Sequence, residues 1–547
     1  MIGADLLVAH LKQHGVEFVT TLSGNGLNAF YEACRTGGLR LIDFRNEQAA
    51  AFAADAAARL TRRIGVCAVS AAVGHANALI GVVNAWFDGA PLLLITGAAP
   101  HSRTDAGKFQ DMDQIALAAP VCTYAKLVDR PERIPFYVHE AISRATSGRP
   151  GPVHLTIPSD VLAADVSATT YDHASPASGE VRPRAGADRE SIAEAANLLE
   201  QARRPLIVAG SGAFYAQADA ALDEFAATTA IPVVVPIWDR GAVSRASEHF
   251  LGVIGAASGG PRLLPDADLI LLLGARVDYR IGYAEPPGIR PDARIVRIDV
   301  NSDELRQGRE PDVAILADPR SALIALREAM ARRGFTPRRE WLAEVRRRDH
   351  EFRQRWLGPA PAAPPMTGRH VVDGLRPFLD DETLFLIDGG NIGQWAHMAL
   401  ADRYPGHWLT CGASGVVGWG IAGAVAAKLA YPDRPAIVLS GDGAIAFGLV
   451  ELETAVRHGT PFVVVLADDR AWGSVVSGQL EQYGPEGVVA SRMGPVDYAR
   501  VADGLGALGL RVERPEEITP AIREALAADR PALIHVPVAS GGPSDAF

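Results

Sequence analysis

Residues 436–473 read AIVLSGDGAIAFGLVELETAVRHGTPFVVVLADDRAWG. The stretch is an apolar run, a Gly-Asp-Gly turn, a helical segment, a second apolar run and an acidic turn. That order predicts two parallel strands joined by a crossover helix. Asp442 then ends the first strand, and Asp468 with Asp469 ends the second, so carboxylates gather at one sheet edge. One or two carboxylates, a carbonyl oxygen and phosphate oxygens are the usual company of Mg2+. Gly441 and Gly443 let the backbone approach a ligand closely. The N–H groups of Gly443 and Ala444, near a helix start, suit a diphosphate. A lone Gly-Asp-Gly is usually a plain turn; the acidic pair closing the next strand sets this one apart.

The same alternation extends outward in both directions. Short apolar runs at 65–69, 92–96, 153–157, 206–209, 233–235, 269–273, 295–298, 384–387 and 532–536 are separated by Ala-rich amphipathic stretches. An amphipathic helix ending at Gly15, followed by a strand, opens the chain. Strands alternating with helices predict an α/β fold class with parallel sheets. Two spacer-like seams, 163–188 and 358–365 (GPAPAAPP), divide the chain. The expectation is three doubly wound parallel-sheet domains, at 1–165, 186–335 and 366–547, with ligands at the carboxyl ends of strands.

Composition removes several function classes. The 547 residues carry a formal net charge of -11, so no basic face for nucleic acid is expected. No apolar run approaches the ~18 residues of a membrane helix. The N-terminus, with Asp5, His10, Lys12 and Glu17, does not read as a signal peptide. Cys34, Cys67, Cys122 and Cys411 are far apart in sequence and read as free thiols. A cytoplasmic location is expected.

The 436–473 stretch resembles the thiamine diphosphate motif, in which Gly-Asp-Gly is followed at the end of the next strand by Asn-Asn. Its ELETAVRHGTPFVVVL flank is similar to the acetolactate synthase-like branch, within the wider pyruvate decarboxylase/oxidase superfamily. The resemblance implies pyrimidine-binding, central and diphosphate-binding domains in that order. It implies Asp442, Asp469 and the carbonyl of Ala471 as Mg2+ ligands. Asp468-Asp469 stands in place of Asn-Asn, and Ala444 in place of the usual Ser. Upstream, DGGNIGQ (388–394) and CGASGVVGWGIA (411–422) correspond to segments that hold the diphosphate and the aminopyrimidine. They supply Gly390, Asn391, Ile392, Gly415 and Val417, the last as the apolar wedge that bends the cofactor. RNEQAAAFAADAAAR (45–59) is similar to the segment carrying the catalytic glutamate, which makes Glu47 the group that hydrogen-bonds N1′ of the aminopyrimidine. Asn46 replaces the usual His before it. The resemblance also implies Gly74, His75 and Asn77 (AAVGHAN) beside the cofactor or substrate, and Asn25, Phe109, Gln110, Trp472 and Val475 toward the substrate. Residues 484–493 read as a lid.

The activity so implied is carbon–carbon bond cleavage or formation on a 2-oxo acid, by decarboxylation, acyloin carboligation or both. A lyase acting on a 2-hydroxyacyl-CoA or an acyloin is the alternative. A non-catalytic cofactor-binding subunit and a flavin-dependent oxidase are further readings; retention of Glu47 and both acidic turns opposes the former. In the central domain, GSG (210–212) and GARVDYR (274–280) are weak nucleotide signals. FAD, or a CoA or adenine-nucleotide site, is weighed there and not favoured. The partners expected are a small carbonyl substrate and a second copy of the chain. The resemblance implies a homodimer or homotetramer with active sites at the subunit interface.

Overall fold

A computed structural model describes residues 1–166, 183–239, 243, 247–255, 262–358, 360, 365–403 and 407–541. Most of both spacer seams, and residues 542–547, lie outside the described residues.

Among the described residues, eighteen strands form three six-stranded, all-parallel sheets. The first contains β1 (Phe18–Leu22), β2 (Arg40–Asp43), β3 (Gly65–Val69), β4 (Leu92–Ala98), β5 (Tyr124–Leu127) and β6 (Val153–Pro158), in the order β2-β1-β3-β4-β6-β5. The second contains β7 (Pro205–Ala209), β8 (Val233–Pro236), β9 (Phe250–Ile254), β10 (Leu269–Leu273), β11 (Arg294–Asp299) and β12 (Val313–Leu316), in the order β12-β11-β10-β7-β8-β9. The third contains β13 (Leu384–Asp388), β14 (His407–Thr410), β15 (Ala436–Gly441), β16 (Val463–Asp468), β17 (Leu508–Arg511) and β18 (Ala532–Pro537), in the order β14-β13-β15-β16-β18-β17. The outer two sheets share one connectivity. The middle sheet has the order of dinucleotide-binding folds. Strands such as β3, β10 and β13 are buried along their whole length, as helices on both faces require.

The chain forms two compact units. One comprises Met1–Pro183, Ile421–Asp433 and Gly448–Thr460; the other comprises Arg184–Gly420, Arg434–Phe447 and Pro461–Phe547. In the second unit, one continuous apolar core runs from Ile192 through Val371 to Val536. In the first unit, the helices Glu47–Thr61 and Val73–Asp88 pack at close range because their contact residues are small. A Cβ on Gly81 would lie 2.5 Å from the Ala51 methyl. A buried polar cluster fixes their alignment. Arg59 pairs with Asp88 at 3.0 Å and Asp55 at 3.5 Å, and Asn84 donates to Asp55 at 2.8 Å. Burial pushes Asp55 up to about 7 despite Arg59. This cluster sets the two helices that carry Glu47 and Asn77.

The helical segment expected after Gly-Asp-Gly is split into a short turn, Asp442–Ile445, and a helix, Glu451–His458. None of the four cysteines is disulfide-bonded. Among the described residues no helix is long and apolar enough to cross a membrane.

Candidate active site

The third sheet changes winding direction between β13 and β15, where open α/β sheets place ligands. The parallel register sets Asp388 opposite Ser440 and Gly441 opposite Ala467, so the turns after β13, β15 and β16 meet at one edge. They border a cleft of about 230 Å³, open on one side. Its wall contains Gly390, Asn391, Ile392, Val417, Gly441, Asp442, Gly443, Ala444, Asp469, Ala471, Trp472 and Val475. Gly415 is not on that wall; it takes φ +70 in the turn two residues before Val417.

Small residues shape this wall. A Cβ on Gly443 would lie 2.9 Å from the Trp472 ring, and one on Gly390 would lie 2.4 Å from Ser474 Oγ. A Cβ on Gly441 would meet nothing within 4 Å. The turn after β15 therefore offers bare backbone to a ligand.

The carboxylates divide their work. Asp468 is bonded chiefly to residues off the cleft wall, its Oδ2 lying 2.8 Å from Nε2 of His535 and its Oδ1 accepting the Arg470 N–H at 3.1 Å, and it also hydrogen-bonds Asp442. Arg511 reaches Nδ1 of His535 at 3.5 Å and can only donate, so Nε2 carries the hydrogen that Asp468 accepts. Burial works to raise Asp468, but His535 and the Arg470 N–H hold it below the usual range. Asp469 stays on the cleft wall, where Ser540 Oγ donates to it at 3.3 Å, and burial raises it. Burial, then Asp469 and Asp468, push Asp442 up to about 8. A carboxyl crowded in this way is relieved by a cation.

The residues fit Mg2+ and a diphosphate. No group of three His, Cys, Asp or Glu side chains suited to a metal occurs among the described residues, so an all-protein cage is not what this edge builds. Mg2+ commonly takes only one or two carboxylates, with ligand phosphates and water completing the shell. Asn391 Nδ2 is buried without a hydrogen-bond partner on the same wall, while Ser474 Oγ donates to its Oδ1 at 3.0 Å. An unsatisfied donor there suits an oxygen-rich group.

Val417 is held by a residue that sequence reasoning does not single out. Asp388, at the end of β13, accepts the N–H groups of Gly418 at 3.1 Å and Gly420 at 2.9 Å. Burial pushes it up to about 6 against those two donors. Helix Gly473–Tyr483 follows Trp472. The stretch read as a lid is bonded back to this region: Trp472 N–H donates to Ser491 O, Met493 N–H to Arg470 O, and Ser491 Oγ to Gln479.

In the other unit, Glu47 begins its helix and is half-buried. Asn77 Nδ2 donates to Glu47 Oε2 at 2.8 Å and to Asn46 Oδ1 at 3.0 Å. Asn46 also caps the helix by accepting the Gln48 N–H, so the residue in place of the usual His has a structural task. A Cβ on Gly74 would stand 2.3 Å from Ser70 Oγ and 3.2 Å from Glu47 Oε1. Glu47, Asn77 and Gly74 thus form one cluster.

The helix bearing Gly74 and Asn77 starts under strain. Ala72 sits at φ +50, ψ -98, where a side chain is unfavourable. Its N–H is secured by Oε1 of Gln114 at 2.7 Å, while Gln114 Nε2 donates to Gly97 O. Ala72→Gly should therefore stabilise the protein by about 1 kcal/mol, seen as a higher urea midpoint at unchanged slope.

The remaining N-terminal candidates differ in exposure. His75 is fully buried, with Nδ1 3.1 Å from Thr96 Oγ1 and its ring 4.6 Å from that of His154. Burial pushes it down to about 4, so it is a neutral interior ring rather than the substrate-facing group expected. Asn25 is exposed in the turn after β1, Phe109 is exposed, and Gln110 takes φ +61 beside it.

A switch-point cleft with bare glycine backbone and crowded carboxylates, in a chain that also presents a Glu–Asn pair, is the architecture of a thiamine diphosphate enzyme. Family comparison agrees along the chain. Residues 1–117 match the N-terminal TPP binding domain of thiamine pyrophosphate enzymes, residues 192–326 the central domain and residues 388–536 the C-terminal TPP binding domain. The chain belongs to the thiamine pyrophosphate enzyme family, and it is an enzyme that cleaves or forms carbon–carbon bonds with that cofactor. It is 31% identical over 544 residues to the acetolactate synthase isozyme 1 large subunit of Escherichia coli (strain K12), covering 98% of this chain and 93% of that one. It is 32% identical over 542 residues to the acetolactate synthase large subunit IlvG of Mycobacterium tuberculosis (strain ATCC 25618 / H37Rv), covering 98% and 95%. It is 31% identical over 561 residues to the 2-hydroxyacyl-CoA lyase 2 of Homo sapiens, covering 94% and 86%.

Proposed function

We propose that the protein decarboxylates a 2-oxo acid and passes the remaining acyl unit to a carbonyl acceptor or releases it, using thiamine diphosphate and Mg2+. The cleft that gathers Asp442, Asp469 and Ala471 beside the bare Gly441–Ala444 backbone carries this reading. When bound, the cofactor supplies an electron sink beside the carbonyl carbon. Asp442, Asp469 and the Ala471 carbonyl hold the ion. Gly390, Asn391, Ile392, Gly441, Gly443 and Ala444 hold the diphosphate, and Gly415 with Val417 shapes the bend. Glu47 shares a proton with the aminopyrimidine, held in place by Asn77 and given room by Gly74. Asn25, Phe109, Gln110, Trp472 and Val475 face the substrate.

Two copies make the working enzyme in this reading. Val73, Ile80 and Phe87 are 69%, 45% and 40% exposed on one helix. With Ala76 and Val83 they repeat at alternating spacings of three and four, the spacing of a helix seam. In this reading the protein is a cytoplasmic homodimer or homotetramer, with Glu47 of one copy serving the cleft of another. The central sheet does not call for FAD. Cβ atoms on Gly210 and Gly212 would lie 2.5 Å and 2.8 Å from Gly274, so these glycines pack on protein. Arg280 is buried and bonded to Asp278 and Asp239.

The likeness to 2-hydroxyacyl-CoA lyase 2 favours a second reading, cleavage of a 2-hydroxyacyl-CoA. The two separate in one assay. With thiamine diphosphate and Mg2+, CO₂ release from a panel of 2-oxo acids supports the first. Aldehyde release from 2-hydroxyacyl-CoA without CO₂ from any acid replaces it with the second.

The raised Asp442 gives a pH test. Its folded value lies above its unfolded one, so its contribution favours the folded state at low pH and is lost as pH rises toward about 8. Without divalent cation, Asp442→Asn should become progressively more stable than the unsubstituted protein between pH 5 and pH 8, with Mg2+ narrowing the gap. A pH-independent difference would contradict this.

A further inference from the structure

Only residues 44–46 join β2 to the helix that begins with Glu47. Phe44 is buried, and its N–H donates to Thr21 O at 2.8 Å. The next N–H, that of Arg45, points at both oxygens of Glu451, at 3.1 Å each. Glu451 is fully buried at the start of the helix Glu451–His458, and its Oε2 also accepts Thr454 Oγ1 at 2.6 Å. Weaker, partly exposed links surround it: Arg45 Nε to Glu453 at 2.7 Å, Arg457 Nε to Glu453 at 3.0 Å and Arg457 to Asp43 at 2.5 Å. All these residues lie in one compact unit.

A buried carboxylate is costly to keep, and exposed ion pairs add little. The distinctive act of Glu451 is to take a backbone N–H two residues before Glu47. Asn77 holds the Glu47 carboxylate from the other side.

We propose that Glu451 is a positioning residue: by clamping the Arg45 N–H it sets where the Glu47 carboxylate stands. This rests on the reading of Glu47 as the group that shares a proton with the cofactor. A shift of about 1 Å at such a group can cost on the order of 10²-fold in rate.

The test compares Glu451→Ala and Glu451→Gln in the full chain. Amide hydrogen exchange across residues 40–50 is read without cofactor; kcat, KM and thiamine diphosphate Kd are read with it. Gln retains an oxygen for the Arg45 N–H, and Thr454 can accept from its amide. Glu451→Ala should speed exchange at residues 45 and 46 about tenfold or more. It should lower kcat about 10- to 100-fold while KM and Kd stay within about threefold, and Glu451→Gln should restore both readouts. If Glu451→Ala does not fold, Thr454→Val, which frees one Glu451 oxygen, should show the same pattern at several-fold size. Unchanged exchange in the variant overturns the clamp. Faster exchange with unchanged kcat overturns its role, as does a loss that Gln does not rescue. If the unsubstituted chain binds no thiamine diphosphate, the reading beneath the proposal fails and the role falls with it; the exchange data, taken without cofactor, tell that failure from failure of the clamp.

Discussion

Glu47→Gln should lower kcat by about 10²–10⁴-fold, the range of a lost acid–base group, while thiamine diphosphate still binds within a few-fold of its original affinity. Gln matches Glu in size and keeps an oxygen for Asn77, which donates at 2.8 Å, so the helix start and the Asn46 cap should survive. What is lost is the carboxylate that would share a proton with the aminopyrimidine. Steady-state CO₂ release and calorimetric cofactor binding check the two halves separately. Full activity in the variant would remove Glu47 from the chemistry. Loss of both activity and binding would make it a structural residue.

Asp442→Ala should act on binding instead. Asp442 closes the turn after β15 on the cleft wall, with Asp468 and Asp469 close enough to raise it. Removing one partner of a buried charge pair commonly costs about 2–5 kcal/mol, so Mg2+-dependent cofactor affinity should fall about 100-fold or more. The effect should be nearly absent when binding is measured without divalent cation, since the interaction removed is the one with the ion. Calorimetric titration with and without Mg2+ decides this; equal affinities for variant and parent with Mg2+ would place the metal elsewhere.

The interior of each sheet was legible in the sequence, and the edges were not. β3, β10 and β15 read as apolar runs because helices bury both their faces. The strands that escaped, β2, β5, β9, β12, β14 and β17, are the edges of the three sheets. Most edge strands are short and partly exposed, as in β12, where buried and exposed residues alternate, so the continuous apolar signal is missing. The C-terminal cleft was legible for a related reason. Most of its residues sit in the local turns after β13, β15 and β16, which parallel topology brings together. What could not be read were contacts between distant segments. Asp388 anchoring the Val417 loop, Gln114 securing Ala72 and His535 taking up Asp468 each join residues far apart in the chain. The last of these gives the extra carboxylate at 468 a partner of its own in His535, in addition to its bond with Asp442. His75 shows the reverse case, since a polar residue between Gly74 and Asn77 points to the interior through helical geometry that spacing alone does not reveal.

The most direct test of thiamine diphosphate catalysis needs no substrate. The exchange of the proton on the reactive thiazolium carbon into D₂O is followed by NMR with the protein and Mg2+ present. Exchange faster than that of the free cofactor by orders of magnitude, lost without Mg2+ and in Glu47→Gln, is the predicted result. Exchange at the free cofactor's rate, with protein in excess over cofactor and Mg2+ saturating, would contradict it.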